Sequence, residues 1–288
     1  MIADAPLATG TWFRVGGLAE ALFRPADIED LITCMTAASP EWPVTILGAA
    51  SNVIIRDGGV RGLVVKLGRG FSEITIEPDG VIAGAAALDT TIADHAAMAG
   101  LGGLEFLSGI PGSLGGAVAM NAGAYGVDMR SVLDWAEIIG PDGSLERYEA
   151  DQLGLDYRHA RLPPGGIVVR ARLRARSEAR SAVIARMDDI KAQREATQPV
   201  RARTGGSTFR NPSDHKAWQL IDQSGCRGMV IGDAQVSEKH CNFLINRGQA
   251  TANDLEALGE LVRERVLATF GVELLWEIKR IGIPGGVL

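Results

Sequence analysis

Between Gly109 and Gly126 the chain reads GIPGSLGGAVAMNAGAYG, six glycines among residues that are nearly all small. Glycine accepts positive φ and lets a second surface come close. Such a run could press against a flat ring system or a pyrophosphate. A shorter segment, Leu47–Asn52 (LGAASN), links two strand-like stretches. Its small residues, with Ser51 and Asn52, could turn main-chain N–H groups toward a phosphate. A plain hairpin turn is the common fate of such a link. Taken with the run at 109–126, it reads as the second of two walls around one extended cofactor. No GxGxxG opens a helix after a strand and no GxxxxGK[ST] occurs, which disfavours a Rossmann site or a P-loop.

Side chains able to do chemistry stand elsewhere. Ser207 follows two glycines in GGSTFRNP and could donate a proton or cap a turn. Arg158, in DYRHAR, is permanently charged and could grip a carboxylate with two parallel bonds; a surface ion pair is its commoner fate. Glu277 lies in the last strand-like segment, opposite the face shared by Trp276 and Ile278, where a glutamate is usually just solvated. The four histidines have no metal-ligand spacing, and no orienting carboxylate makes a hydrolytic triad. His240, after Lys239, could line a pocket. Cys34, Cys226 and Cys241 stand far apart with no CxxC pair, which fits reduced thiols in a cytoplasm and no metal site.

The elements that must hold these residues are mixed. PVTILG, VIIRDGG, GLVVKL and GVIAG read as strands between residues 43 and 84. Helices are expected over Asp27–Met35, capped by Asp27, and over Thr90–Ala99. Strands return from Trp135 to Arg176. Arg170, Arg172, Arg174 and Arg176 alternate with apolar residues and read as one strand with a solvated face. Ser181–Thr197 reads as a connecting helix, with a domain boundary near Thr197–Arg203. Beyond it, a helix is expected over Asp214–Ser224 and a strand over Asn242–Asn246. A long helix follows, opened by a Thr251–Asp254 capping box, buried through Leu255, Leu258, Val262, Val266 and Phe270, and ended by Gly271. A last strand is expected over Val272–Ile281. Without strict βαβ repetition, the fold class is α+β.

The 288 residues allow two domains and a sizeable core. Phe106–Val127 carries no charge, but its glycines and Pro111 argue against a spanning helix, so no membrane insertion is expected. No secretory signal is read at the N-terminus. The net charge is −6, yet residues 158–210 hold 13 Lys/Arg against 4 Asp/Glu. With almost no aromatic residues in that basic stretch, a nucleic-acid partner is not expected; the surplus could draw in a small polyanion such as a nucleotide.

Seven motifs stand together in one order: TWFRVGG (11–17), LGAASN (47–52), SGIPGSLGGAVAMNAGAYG (108–126), DYR (156–158), GGSTFRNP (205–212), KHCNFLIN (239–246) and ELLWEIKRIG (273–282). Across nearly its whole length the chain resembles the UDP-N-acetylenolpyruvoylglucosamine reductases (MurB), in their shorter form. The resemblance implies an FAD-binding domain of the vanillyl-alcohol-oxidase (PCMH) type, with two α+β lobes, over 1–197. A C-terminal α+β substrate domain would follow over 198–288. It also implies a cytoplasmic, NADPH-dependent, FAD-mediated reduction of an enolpyruvyl ether of UDP-N-acetylglucosamine to UDP-N-acetylmuramate, for peptidoglycan. The family's catalytic arginine, serine and glutamate fall on Arg158, Ser207 and Glu277. Flavin contacts fall on Gly48, Ala49, Ala50, Ser51, Asn52 and Val53, and on Gly109, Ile110, Pro111, Gly112, Ser113, Gly115, Gly116, Ala117, Asn121, Ala122 and Gly123. Substrate contacts fall on Asn211, Lys239 and His240. The chain departs from the family pattern at Ala50, where glycine is usual, at Ala160, and at Leu275-Trp276 before Glu277. An FAD oxidase of sugars or alcohols and a non-catalytic nucleotide-binding scaffold are the competing readings.

Overall fold

The computed structural model describes residues 1–39 and 41–286. The chain divides into two compact units that are not contiguous in sequence. The first holds Leu22–Ala49 and Gly62–Gln193, with Met1; the second holds Ile2–Ala21, Ala50–Arg61 and Arg194–Leu288.

In the first unit, Asp27 accepts the main-chain N–H of Asp30 and starts helix α1 (Ile28–Ala37), whose Leu31 and Met35 are buried. Strand Val44–Leu47 pairs in parallel with Leu63–Lys66. A five-stranded antiparallel sheet follows, in the order 145–149, 133–139, 167–174, 80–84, 74–77. Helix α2 (Asp89–Met98) and the short helix α3 (Leu114–Ala119) share its core with Val81, Ala83, Leu133, Ala171 and Leu173. Helix α4 (Met129–Val132) is capped by Asp128, and α5 (Arg180–Thr197) buries Val183 and Met187.

Arg170, Arg174 and Arg176 are exposed, as a solvated face requires, and Arg172 departs from it. The strand ends at Arg174, and Arg176 belongs to a separate two-residue strand paired with Leu101–Gly102. Arg172 has a side chain only 15% exposed and meets Glu77, Asp79 and Asp134; Arg170 meets Glu137. A cation on the central strand of the sheet, so little exposed, needs several carboxylates to replace its water.

In the second unit, the strands 203–204, 244–246, 234–236 and 230–231 form an antiparallel sheet. Helix α6 (Ala217–Gln223) starts later than Asp214, where Lys216 stands at its N-terminus in extended conformation. Helix α7 (Ala252–Phe270) has the expected reciprocal cap: Thr251 Oγ1 accepts from Asp254 N–H, and Asp254 accepts from Thr251 N–H. It ends at Gly271 with φ +67. Leu255, Leu258, Val262 and Val266 are buried, whereas Phe270, in the last turn, is 40% exposed. The final strand is shorter than the alternation of 272–281 predicts. Only Lys279–Ile281 is regular, and it pairs in parallel with Val53–Ile55. Residues 272–278 take their order from a bridge between Trp276 and Phe209 and from packing.

Candidate active site

The two small-residue motifs meet in the first unit. The Ala49 N–H donates to Ser113 Oγ at 3.3 Å, and a Cβ on Gly48 would lie 2.7 Å from that same oxygen. Gly48, Ala49, Ser113, Gly115 and Gly116 line one cavity of about 300 Å³, together with Ala85, Leu88, Lys66 and Val168. The segment from Leu47 to Asn52 is therefore no hairpin turn. The strand before it pairs with 63–66 and the strand after it with 279–281. Ala50 and Asn52, with Ser51 and Val53, fall in the second unit.

Ala50 has φ +51, in the left-handed region that costs an alanine about 1–2 kcal/mol. This is the position where the resembled pattern has glycine.

The glycines of the 109–126 run answer to two demands. Gly116 faces open space at the cavity. Gly109, Gly112, Gly115 and Gly123 are required by the protein itself: a Cβ there would strike Tyr125, Asp89, Ala85 and Asp128 respectively. Part of the run is thus close packing within the protein. Among the remaining candidates, Ala117 and Ala122 are buried, and Ile110 packs against the same core.

Asn121 is buried and fully engaged. Its Nδ2 donates to the Asp156 carbonyl at 2.8 Å and to Asp128 Oδ2 at 3.3 Å, and its Oδ1 accepts from Arg130 N–H at 2.8 Å. Beyond that carbonyl lies a tight turn in which Asp156 and His159 exchange both main-chain hydrogen bonds. Arg158 sits inside the turn with φ +54, its guanidinium 5.3 Å from the Tyr157 ring.

In the second unit the segment after Ser207 runs beside the segment that holds Glu277. The Glu277 N–H donates to the Thr208 carbonyl at 2.8 Å, and Arg210 N–H to the Leu275 carbonyl at 2.9 Å. Asn242 braces the other side: its carbonyl accepts from Thr208 N–H, and its amide exchanges bonds with both main-chain groups of Phe209. Asn52 Nδ2 donates to the Glu277 carbonyl at 3.2 Å. Ser207 and Glu277 are both partly exposed. Trp276 anchors the segment. Its ring lies 5.0 Å from that of Phe209 and against Gly259 of α7, and its Nε1–H donates to Glu260 at 2.8 Å. That packing accounts for a tryptophan before Glu277.

Asn211 Oδ1 accepts the first N–H of α6, from Ala217, at 2.9 Å. The Lys239 ammonium reaches the Glu195 carbonyl and lines a second cavity, of about 520 Å³, with Arg201, Gln198 and Val200. His240 Nδ1 accepts from Asn242 N–H at 3.3 Å, which leaves the proton on Nε2. Burial lowers its pKa below the ordinary imidazole value, so the ring is neutral at neutral pH.

Two groups escaped the sequence reading. Lys66 lines the first cavity, and burial, then Arg24, lower its pKa. Its signal was its place at the end of an apolar strand. Asp89 is fully buried at the start of α2, its two carboxyl oxygens unpartnered among the described residues, and burial pushes its pKa up to about 8. No spacing rule marks it.

Residues 19–149 match the model of an FAD binding domain, and residues 198–281 that of the UDP-N-acetylenolpyruvoylglucosamine reductase C-terminal domain. A UDP-N-acetylenolpyruvoylglucosamine reductase of Acidiphilium cryptum is 69% identical over 98% of this chain and 91% of its own length. That of Granulibacter bethesdensis is 68% identical over 97% and 90%. The crystal structure of the reductase from Thermus caldophilus superposes with a TM-score of 0.85 at 36% identity, covering 96% of this chain and 97% of that one. With its two small-residue walls meeting at Ser113 and Glu277 bonded to the residue after Ser207, the chain belongs to the UDP-N-acetylenolpyruvoylglucosamine reductase family.

Proposed function

We propose that Arg158, Ser207 and Glu277 carry the chemistry of this family. The enzyme is a flavin-dependent oxidoreductase, a UDP-N-acetylmuramate dehydrogenase. It reduces the enolpyruvyl ether UDP-N-acetyl-3-O-(1-carboxyvinyl)glucosamine to UDP-N-acetylmuramate for peptidoglycan, with NADPH as reductant. The reading assigns FAD to residues 1–197 and the sugar nucleotide to 198–288, and places the enzyme in the cytoplasm.

The cavity edged by Gly48, Ala49, Gly115 and Gly116 suits a flat, extended group such as FAD, because nothing larger than a methyl projects from those four positions. Bound FAD supplies the relay of hydride from NADPH to the terminal vinyl carbon. Arg158 grips the adjoining carboxylate and stabilises the negative charge that grows on it. Glu277 orients the same group. The Ser207 hydroxyl delivers a proton to the neighbouring carbon; a hydroxyl is a weak acid, but an enolate is a strong base, so placement matters more than acidity. Lys239, His240 through its Nε2–H, and Asn211 are offered to the sugar nucleotide.

The observation that supports this reading is the main-chain bond from Glu277 to Thr208, the residue that follows Ser207. A purified sample should be yellow, be bleached by NADPH and be recoloured by the enolpyruvyl sugar nucleotide. Colour returned only by oxygen, with a simple alcohol as reductant, would point to an oxidase. A colourless protein that tolerates changes at all three residues would point to a scaffold.

A further inference from the structure

We propose that Asn121 is a positioning residue for Arg158: it holds the turn that presents the guanidinium and has no donor left for a cofactor. The inference rests on the role assigned to Arg158 above.

The turn runs from Asp156 to His159, closed by hydrogen bonds of 2.9 and 3.0 Å between those two residues. Of its two central residues only Arg158 has positive φ, which is the pattern of a type II turn. That position ordinarily takes glycine, because a Cβ crowds the following carbonyl. An arginine kept there needs the surrounding structure to hold it, and backbone strain of this kind gathers where geometry serves function.

Asn121 does the holding. Its side chain ties the turn, through the Asp156 carbonyl, to the Arg130 N–H at the start of α4 and to the Asp128 carboxylate that caps the same helix. A primary amide has two N–H donors, and both are taken. The residue is 1% exposed, so water does not compete for these bonds. Asn121 itself has φ +43, a region asparagine tolerates better than other side chains. The turn and the start of α4 are thus locked together by one amide, and the turn carries an arginine at positive φ.

A double-mutant cycle tests this. Asn121→Gly removes the amide while keeping the left-handed backbone easy; Asn121→Asp keeps the acceptor for Arg130 and loses the donor for Asp156, and serves if the glycine variant does not fold. Each is combined with Arg158→Ala. Three quantities are read: flavin content, the single-turnover rates of bleaching by NADPH and recolouring by substrate, and calorimetric affinity for UDP-N-acetylmuramate. The expected result is recolouring slowed about 10- to 100-fold, weaker product binding, bleaching and flavin content near normal, and no further loss when Arg158 is already alanine. Losses that multiply with those of Arg158→Ala overturn the inference while leaving the role of Arg158 intact. Loss of flavin with normal recolouring in the loaded fraction also overturns it, making Asn121 a cofactor contact. Normal recolouring by Arg158→Ala alone overturns the role of Arg158, and this inference with it.

Discussion

The main-chain N–H of Glu277 donates to the carbonyl of Thr208 at 2.8 Å, so the residue after Ser207 fixes where Glu277 stands. The two side chains can therefore be altered separately without moving the other's backbone. Ser207→Ala should slow recolouring by substrate by about 10²–10⁴-fold and leave bleaching by NADPH within a factor of three, roughly the scatter of such comparisons. Glu277→Gln should slow the same half-reaction by about 10²–10³-fold. Stopped-flow absorbance separates the two halves, and equal slowing of both would remove Ser207 as proton donor.

Ala50 offers a stability test. Its φ of +51 strains an alanine but not a glycine. The gain from relieving that strain exceeds the added freedom of the unfolded chain, so Ala50→Gly should stabilise the protein by a net of about 0.5–1 kcal/mol. Urea titration should register it as a raised midpoint with an unchanged slope. A lowered midpoint would mean that the loop changes conformation to suit alanine.

Asp89 makes stability depend on pH with an unusual sign. Its folded pKa of about 8 lies above the ordinary 3.8. Between those values the folded protein keeps a proton that the unfolded chain has released. Stability from this group is therefore full at low pH and falls as pH rises toward 8, by at most about 1.4 kcal/mol per pH unit. Asp89→Asn removes that slope. The melting temperature of the variant relative to the parent should climb steadily from pH 5 to pH 8; a constant difference would show that the carboxyl is ionised throughout.

Lys66 is the cation at the cavity of the first unit. Burial and Arg24 weaken its hold on its proton, and an anionic ligand would strengthen it. Lys66→Met should reduce FAD affinity about tenfold at low ionic strength and flatten its dependence on salt and on alkaline pH. Flavin fluorescence titrations measure both. Unchanged affinity would place the phosphates elsewhere.

What could be read from the sequence was local or motif-borne. Asp27, the Thr251–Asp254 box and Gly271 mark helix ends because a cap is made by residues within one turn. The meeting of LGAASN with the glycine run was legible because both segments are abnormally small. The partner of Val53–Ile55 was not, since nothing near those residues points to Lys279–Ile281. Nor were the carboxylates around Arg172, of which Glu77 and Asp79 come from one hairpin and Asp134 from the much later strand Leu133–Ile139. Asn52 and Asn121, which the resemblance offers as flavin contacts, each also brace the backbone beside an expected catalytic residue, Glu277 in one case and Arg158 in the other. An asparagine's type does not reveal which carbonyl its amide will find.

The second unit draws on both ends of the polypeptide, and that bears on how it can be made. Arg56 donates to Gly282, 226 positions further on, and Asp57 accepts from the first N–H groups of α7. During synthesis at about 5–20 residues per second, the early strand waits tens of seconds for its mate to leave the ribosome. Over that interval its apolar edge is a natural client for a chaperone. A clone cut at residue 194 should yield insoluble material, whereas one that carries 2–21 and 50–61 on a redesigned connection has the pieces it needs.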